Sequence, residues 1–143
     1  MKTLLAIIAA LVLTACVSEN GQPEFVLQKG DKLPAFAVAM SDGTTVSDRS
    51  LRGDSALIVF FDSKCPDCVR ELPLVQEYAD AHPRVKVVCI AREDTAPEQL
   101  WRELELSLPY SPQADRRVYN LFANIGVPRY FLVAPDGRIV GKG

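Results

Sequence analysis

Hydrophobic residues recur in two rhythms along this chain, and the rhythm changes at one place. Ala56–Phe61 is an unbroken apolar run of strand length and reads as a buried strand. After Asp62-Ser63-Lys64 the spacing becomes helical, with Val69, Leu72, Val75, Tyr78 and Ala79 on one face from about Pro66 to Ala81. Pro73 lies inside this helix and should kink it. His82-Pro83 ends it, because the residue before a proline avoids helix. Residues 85–91 form the next apolar strand. Thr95-Ala96-Pro97-Glu98 has the form of a capping box and opens a helix through Leu100, Trp101 and Leu104 to about Glu105. Residues 106–110 read as a short extended piece. Asp115 is placed to cap a third helix, 116–123, with Val118, Leu121 and Phe122 inward. Residues 129–133 form a strand, Pro135-Asp136-Gly137 a turn, and 138–140 its hairpin partner. Earlier, 36–40 and 44–46 flank Asp42-Gly43, a tight hairpin signal. Ser50-Leu51-Arg52-Gly53 turns into the buried strand. Strands separated by helices predict an α/β fold, a central sheet with helices on both faces.

The first residues follow another pattern. Behind Met1-Lys2, Leu4 to Leu13 is almost wholly apolar. About ten residues cannot span a bilayer, which takes about 20, but they fit the core of a secretory signal. Leu13-Thr14-Ala15-Cys16 resembles a bacterial lipobox, in which Cys16 becomes the lipidated first residue of the mature chain. The alternative is an ordinary signal peptide with an incidental cysteine. The expected organisation is a lipoprotein signal peptide over 1–15, a tether over 16–29 and the folded domain over 30–143. Lipid at one terminus anchors a protein without making it span.

At 143 residues and 48% hydrophobic, the chain is expected to form one domain with a substantial core. The net charge of −2 is interspersed, and without a basic stripe nothing points to nucleic acid. Four cysteines remain to be placed. Cys16 is the candidate anchor. Cys89, inside an apolar strand, is expected to pack as a small hydrophobe, with a resolving or regulatory thiol as the alternative. An exported location suits a lasting disulfide.

Cys65 and Cys68 stand where strand gives way to helix. Residues i and i+3 of a helix share a face about 5–6 Å apart at Cβ, close to what a disulfide tolerates. Cys65 falls at the helix start, where free N–H groups and the dipole favour a thiolate. A free cysteine with a pKa of about 8.5 is only ~3% ionised at neutral pH; a pKa near 7 gives roughly half. That difference costs about 2 kcal/mol, and a helix N-terminus supplies ~0.3–1 kcal/mol, up to ~2 when partly buried. Lys64 adds to this and Asp67 opposes it. A reductant-leaning couple is expected.

Several features occur in a fixed order: Gly30-Asp31-Lys32-Leu33-Pro34-Ala35-Phe36, the Leu51-Arg52-Gly53 turn, Cys65-Pro66-Asp67-Cys68 after a strand, Pro73, Gly126-Val127-Pro128 before a strand, and the Asp136-Gly137 hairpin. Together they resemble the thioredoxin superfamily, most closely its exported, membrane-tethered TlpA/ResA-like thiol–disulfide oxidoreductases, over about residues 30–141. The resemblance implies a thioredoxin-like fold, a central mixed β-sheet flanked by helices with an N-terminal β-hairpin extension, and no cofactor. It makes Cys65 the nucleophile, Cys68 the resolving thiol and Pro128 a cis-proline facing them. Glu71 matches a carboxylate of some cytochrome-maturation members that could move protons to or from Cys68; its alternative is an exposed first-turn glutamate. The implied partners are protein disulfide substrates and a membrane electron-donor protein, with the domain in the periplasm or another extracytoplasmic space.

The chain also departs from that family. Lys64 stands where a tryptophan is usual, the inner dipeptide is Pro66-Asp67, and Val59 replaces a buried aspartate of thioredoxin. The sequence stops at Gly143, short of the usual C-terminal helix. Two other functions on the same fold are weighed. A peroxiredoxin-like peroxidase would carry Thr or Ser where Asp62 stands. A copper-binding assembly protein would need two thiolates and an imidazole, and His82 is the only histidine. Haem attachment is excluded by Val69 after the second cysteine.

Overall fold

The computed structural model describes residues 24–143. The expected signal peptide and Cys16 lie outside the described residues. Seven strands and two α-helices follow in the order β1 Ala37–Ala39, β2 Thr45–Ser47, β3 Ala56–Phe61, α1 Pro66–Ala81, β4 Lys86–Ala91, α2 Glu98–Glu103, β5 Tyr110–Ser111, β6 Arg129–Val133 and β7 Ile139–Lys142. β1 and β2 form an antiparallel hairpin, and the other five strands form one sheet in the order β5-β4-β3-β6-β7. β3 pairs parallel with β4, from Ala56↔Lys86 to Phe61↔Ala91, and antiparallel with β6. Covered on both faces, β3 needs apolar side chains at nearly every position.

Side chains alternate across the sheet. Val59 and Phe61 join Cys68, Leu72 and Val75 of α1, Leu100 and Trp101 of α2, and Cys89 of β4. Ile58 and Phe60 join Phe36 and Val38 from the hairpin side, Phe131 of β6, and Tyr119 and Phe122. The residues expected as a third helix thus close the second face, but as a single 3-10 turn, Tyr119–Leu121. Two causes are visible. The Asp115 carboxylate accepts the N–H of Arg117 at 2.9 Å, closing a local turn instead of capping a helix. Tyr119, Phe122 and Ala123 face the sheet and Val118 packs against the same cluster, so of the expected Val118, Leu121 and Phe122 only Leu121 turns outward.

α2 is shorter than expected at both ends. Thr95 does not cap it; Asp94 accepts the Ala96 N–H at 3.0 Å, and no side-chain cap bond is made at Pro97. At its C-terminus Glu105 takes a left-handed conformation, φ 53°. The N–H groups of Leu106 and Glu105 reach back to the Trp101 and Arg102 carbonyls at 3.0 and 3.2 Å, a Schellman stop. α1 runs through Pro73 without a break. The extended piece at 106–110 narrows to the two residues of β5.

Residues 24–29, expected in the tether, lie against the domain. The N–H groups of Val26 and Leu27 both donate to the Phe122 carbonyl at 3.0 and 3.1 Å. Phe25 meets Phe131 edge to face, with ring centroids 5.9 Å apart. A phenylalanine that can bury its ring on a core cluster has little reason to stay in a solvated linker. Among the described residues no helix is long and apolar enough to cross a membrane.

Candidate active site

β3 ends at Phe61 and the chain must turn into α1 within four residues. Asp62 makes the turn: its carboxylate accepts the Lys64 N–H at 2.9 Å and its carbonyl the Cys65 N–H at 3.1 Å. Asp94, across the sheet top after β4, accepts the Ser63 N–H at 3.2 Å and bonds the Ser63 hydroxyl. Arg92 pairs with Asp62 at 3.4 Å, both side chains largely buried. The turn carrying the cysteines is therefore held from both β3 and β4.

Cys65 is the N-cap residue of α1, with Pro66 in the first turn. Proline suits that place, since its missing N–H would have no helical partner there. The Cys65 side chain makes no cap bond. Its thiol instead donates to the Val127 carbonyl at 3.4 Å. The sulfur of the protonated form is thus turned to the 125–128 loop and not onto the helix N–H groups. Asp67, expected to burden a thiolate, pairs with Arg70 one turn on, in solvent.

Cys68 is fully buried beneath Cys65. Burial, with Cys65 and Asp62 adding, pushes its thiol from 9.0 up to about 12, against a weaker opposing bond from the Asp62 backbone. Cys68 therefore holds its proton at neutral pH. Cys65, Cys68 and Cys89 are all free thiols. Cys89 is fully buried in the same cluster, and burial raises its thiol likewise to about 12.

The 125–128 loop meets this pair from β6. The Val127–Pro128 peptide is cis, as the resemblance implied. Gly126 has φ +82°, and a Cβ there would come within 2.8 Å of the Arg129 guanidinium. The positive φ is what requires glycine, since the guanidinium ends a flexible side chain that could move aside. The Gly126 carbonyl accepts the Tyr119 hydroxyl at 2.7 Å, and the Arg129 Nε donates to the Ile125 carbonyl at 3.1 Å.

Glu71 is half-buried, one turn beyond Cys68 on α1, and accepts a hydrogen bond from the Tyr130 hydroxyl. It is not the exposed first-turn glutamate of the alternative reading. His82 sits at the far end of α1, stacked on Tyr78 at 4.2 Å with Nδ1 2.9 Å from the Tyr78 carbonyl. Over a helix of 16 residues the two ends are about 24 Å apart, so His82 is not brought to the cysteines. Tyr130, Asp94, Arg92 and the Val127 carbonyl were not foreseen. Only Asp94 carried a local signal, an aspartate two residues before a turn amide.

Two thiols one turn apart, the outer half-buried and the inner fully buried, backed by a cis-proline loop on a β5-β4-β3-β6-β7 sheet, define an oxidoreductase of the thioredoxin fold. Residues 28–143 match the Redoxin family, and the chain belongs to that family. It is a TlpA/ResA-like member of the thioredoxin superfamily. The thiol–disulfide oxidoreductase ResA of Oceanobacillus iheyensis is 26% identical over 146 residues, covering 96% of this chain and 76% of that protein. The thioredoxin domain of a thiol–disulfide oxidoreductase from Bacteroides vulgatus superposes with a TM-score of 0.72 at 24% identity, over 81% of this chain and 88% of that one. A yeast mitochondrial 1-Cys peroxiredoxin gives 0.68 at 17%, over 82% and 67%. These last two likenesses speak to fold alone.

Proposed function

We propose that this protein is an exported, lipid-anchored oxidoreductase that reduces disulfides of other proteins, with apocytochrome c as one candidate substrate. The observation that carries this reading is the asymmetry of the Cys-Pro-Asp-Cys pair. Cys65 is reachable and at a helix start, while Cys68 is fully buried and protonated. Cys65, as thiolate, attacks one sulfur of a substrate disulfide; a Cys65–substrate bond forms and the displaced thiolate takes a proton. Cys68 then gives up its proton and attacks the Cys65 sulfur. The mixed disulfide breaks, the second substrate thiol leaves, and Cys65–Cys68 becomes the disulfide. Two electrons pass to the substrate, and a dithiol protein at the membrane returns them. In this reading Pro128 shapes the groove beside Cys65 and Glu71 handles the Cys68 proton; the cis peptide and the half-buried carboxylate support it. Anchorage through Cys16 and an extracytoplasmic domain are supported by the apolar leader and the lipobox-like Leu13-Thr14-Ala15-Cys16.

The test is reduction of insulin disulfides by the reduced protein. Cys65→Ser is expected to lower the rate to background, and Cys68→Ser to accumulate substrate on Cys65. An equilibrium potential near about −270 mV fits a reductant, and one near about −120 mV would overturn that direction. Should the protein ignore insulin and consume thiol only with peroxide, the peroxidase reading takes its place.

A further inference from the structure

β6 carries an unusual contact. Tyr130 is the register partner of Val59, so its ring lies on the helix face of the sheet, packed against the cluster that holds Cys68 and Cys89. Its hydroxyl crosses to α1 and donates to the Glu71 carboxylate. Glu71 and Cys68 are three apart on α1 and share a face. Glu71 and Tyr130 also line one end of an apolar groove of about 260 Å³, whose wall includes Leu57, Leu74 and Val75. The groove opens to solvent beside Leu74, which is 60% exposed. Glu71 thus lies one turn from a buried sulfur and on a groove open to water.

Building on the oxidoreductase reading above, we infer that Tyr130 is a positioning residue for the resolving step: its hydroxyl pins the Glu71 carboxylate beside Cys68, so that Glu71 takes the Cys68 proton as that sulfur attacks. The chemistry balances within the dithiol reaction. Cys68 S–H loses its proton to Glu71, the new Cys65–Cys68 bond forms, the Cys65–substrate bond breaks, and the departing thiolate receives a proton from Glu71 or from water in the groove.

The surroundings make such help necessary. A thiol held near 12 is almost wholly protonated at neutral pH, so an attack by Cys68 needs a base at hand. Tyr130 cannot be that base. Burial, and then Glu71 beside it, push its phenol well above the ordinary 10.0, with Cys68 and Cys89 adding. It stays neutral and acts only as a donor to Glu71. The charged groups that act directly on Cys68 are Cys65 itself and Asp62, and Asp62 is occupied by Arg92; Glu71 is tied to this sulfur through Tyr130, which faces both. Glu71 is the carboxylate left to move the proton.

The test separates the two chemical steps. Reduced protein mixed with the chromogenic aryl disulfide dithiobis-nitrobenzoate releases one coloured thiol when Cys65 attacks and a second when Cys68 resolves. Stopped-flow absorbance between about pH 6 and pH 9 reads both. In Tyr130→Phe, which keeps the ring, the ratio of the second rate to the first is expected to fall about tenfold, part of the ~10²–10⁴ that a positioned base supplies. The second release should also move to higher pH. Glu71→Gln should give at least the same fall, and the double variant should be no slower than Glu71→Gln alone. An unchanged ratio in Tyr130→Phe overturns the inference. So does a double variant in which the two effects multiply, and so does a Glu71→Gln variant that resolves normally, which needs no change at Tyr130. If the unaltered protein releases neither thiol, the oxidoreductase reading itself fails.

Discussion

Along β3 successive side chains go to opposite sides of the sheet, and the two sides hold different materials. Ile58 and Phe60 enter an aromatic cluster in which Phe60 lies 4.9 Å from Phe122, 5.5 Å from Tyr119 and 6.1 Å from Phe131. Val59 and Phe61 enter the helix side, where Phe61 meets Trp101 at 4.8 Å but the same cluster also holds two thiols, Cys68 and Cys89, and the ring of Tyr130. Rings that fit edge to face give rigidity and area. Thiols in an apolar wall give little packing energy, and burial keeps them protonated. One side is built to hold the sheet still and the other to control protons on sulfur, and a single strand serves both by alternation.

The comparison can be broken most directly at the aromatic side. Phe122→Ala is expected to cost about 3–5 kcal/mol of stability, a cavity penalty, with the potential of the Cys65–Cys68 couple unchanged. Denaturant unfolding and redox equilibration measure the two, and a shifted potential would show that the sides are not separate. A smaller effect belongs to the helix side. Cys68 and Cys89 are both raised from 9.0 to about 12, so the folded state holds these protons more tightly than the unfolded chain. Stability from this source is fully present below about pH 9 and is lost as pH climbs towards 12. Thermal unfolding of the reduced protein should fall over that range, and oxidation of Cys65 and Cys68 should leave only the Cys89 part. The smallest effect is expected at the end of α2. Glu105→Gly relieves a left-handed backbone and should raise stability by about 0.5–1 kcal/mol without touching either redox measurement.

Much of this architecture is legible in the sequence alone. The apolar run 56–61, the helical spacing after Pro66 and the hairpin at Pro135-Asp136-Gly137 are local patterns, and local patterns survive folding when the core agrees with them. The segment 116–123 departs from its helical pattern and folds as a 3-10 turn for a physical reason. Its apolar residues are too close together to choose a frame, and the sheet chose Tyr119, Phe122 and Ala123. The capping-box reading of Thr95 failed because Asp94 had two amides to serve, Ala96 and Ser63. The same kind of limit hid the Glu71–Tyr130 bond. Glu71 is marked by its match to a carboxylate of some members of the family. Tyr130, 59 positions on, looks like any strand tyrosine until β6 is laid beside β3.

Arg129 has one more consequence. Its guanidinium holds the Ile125 carbonyl, lies over the Phe25 ring at 5.0 Å and reaches Glu24 at 3.8 Å. The chain that enters the domain at Glu24 is thereby bolted to the loop that faces Cys65. Any mechanical pull from upstream would arrive first at that loop, through Phe122 and Arg129, and would strain the reactive end of the molecule before it disturbed the remote end of the first helix.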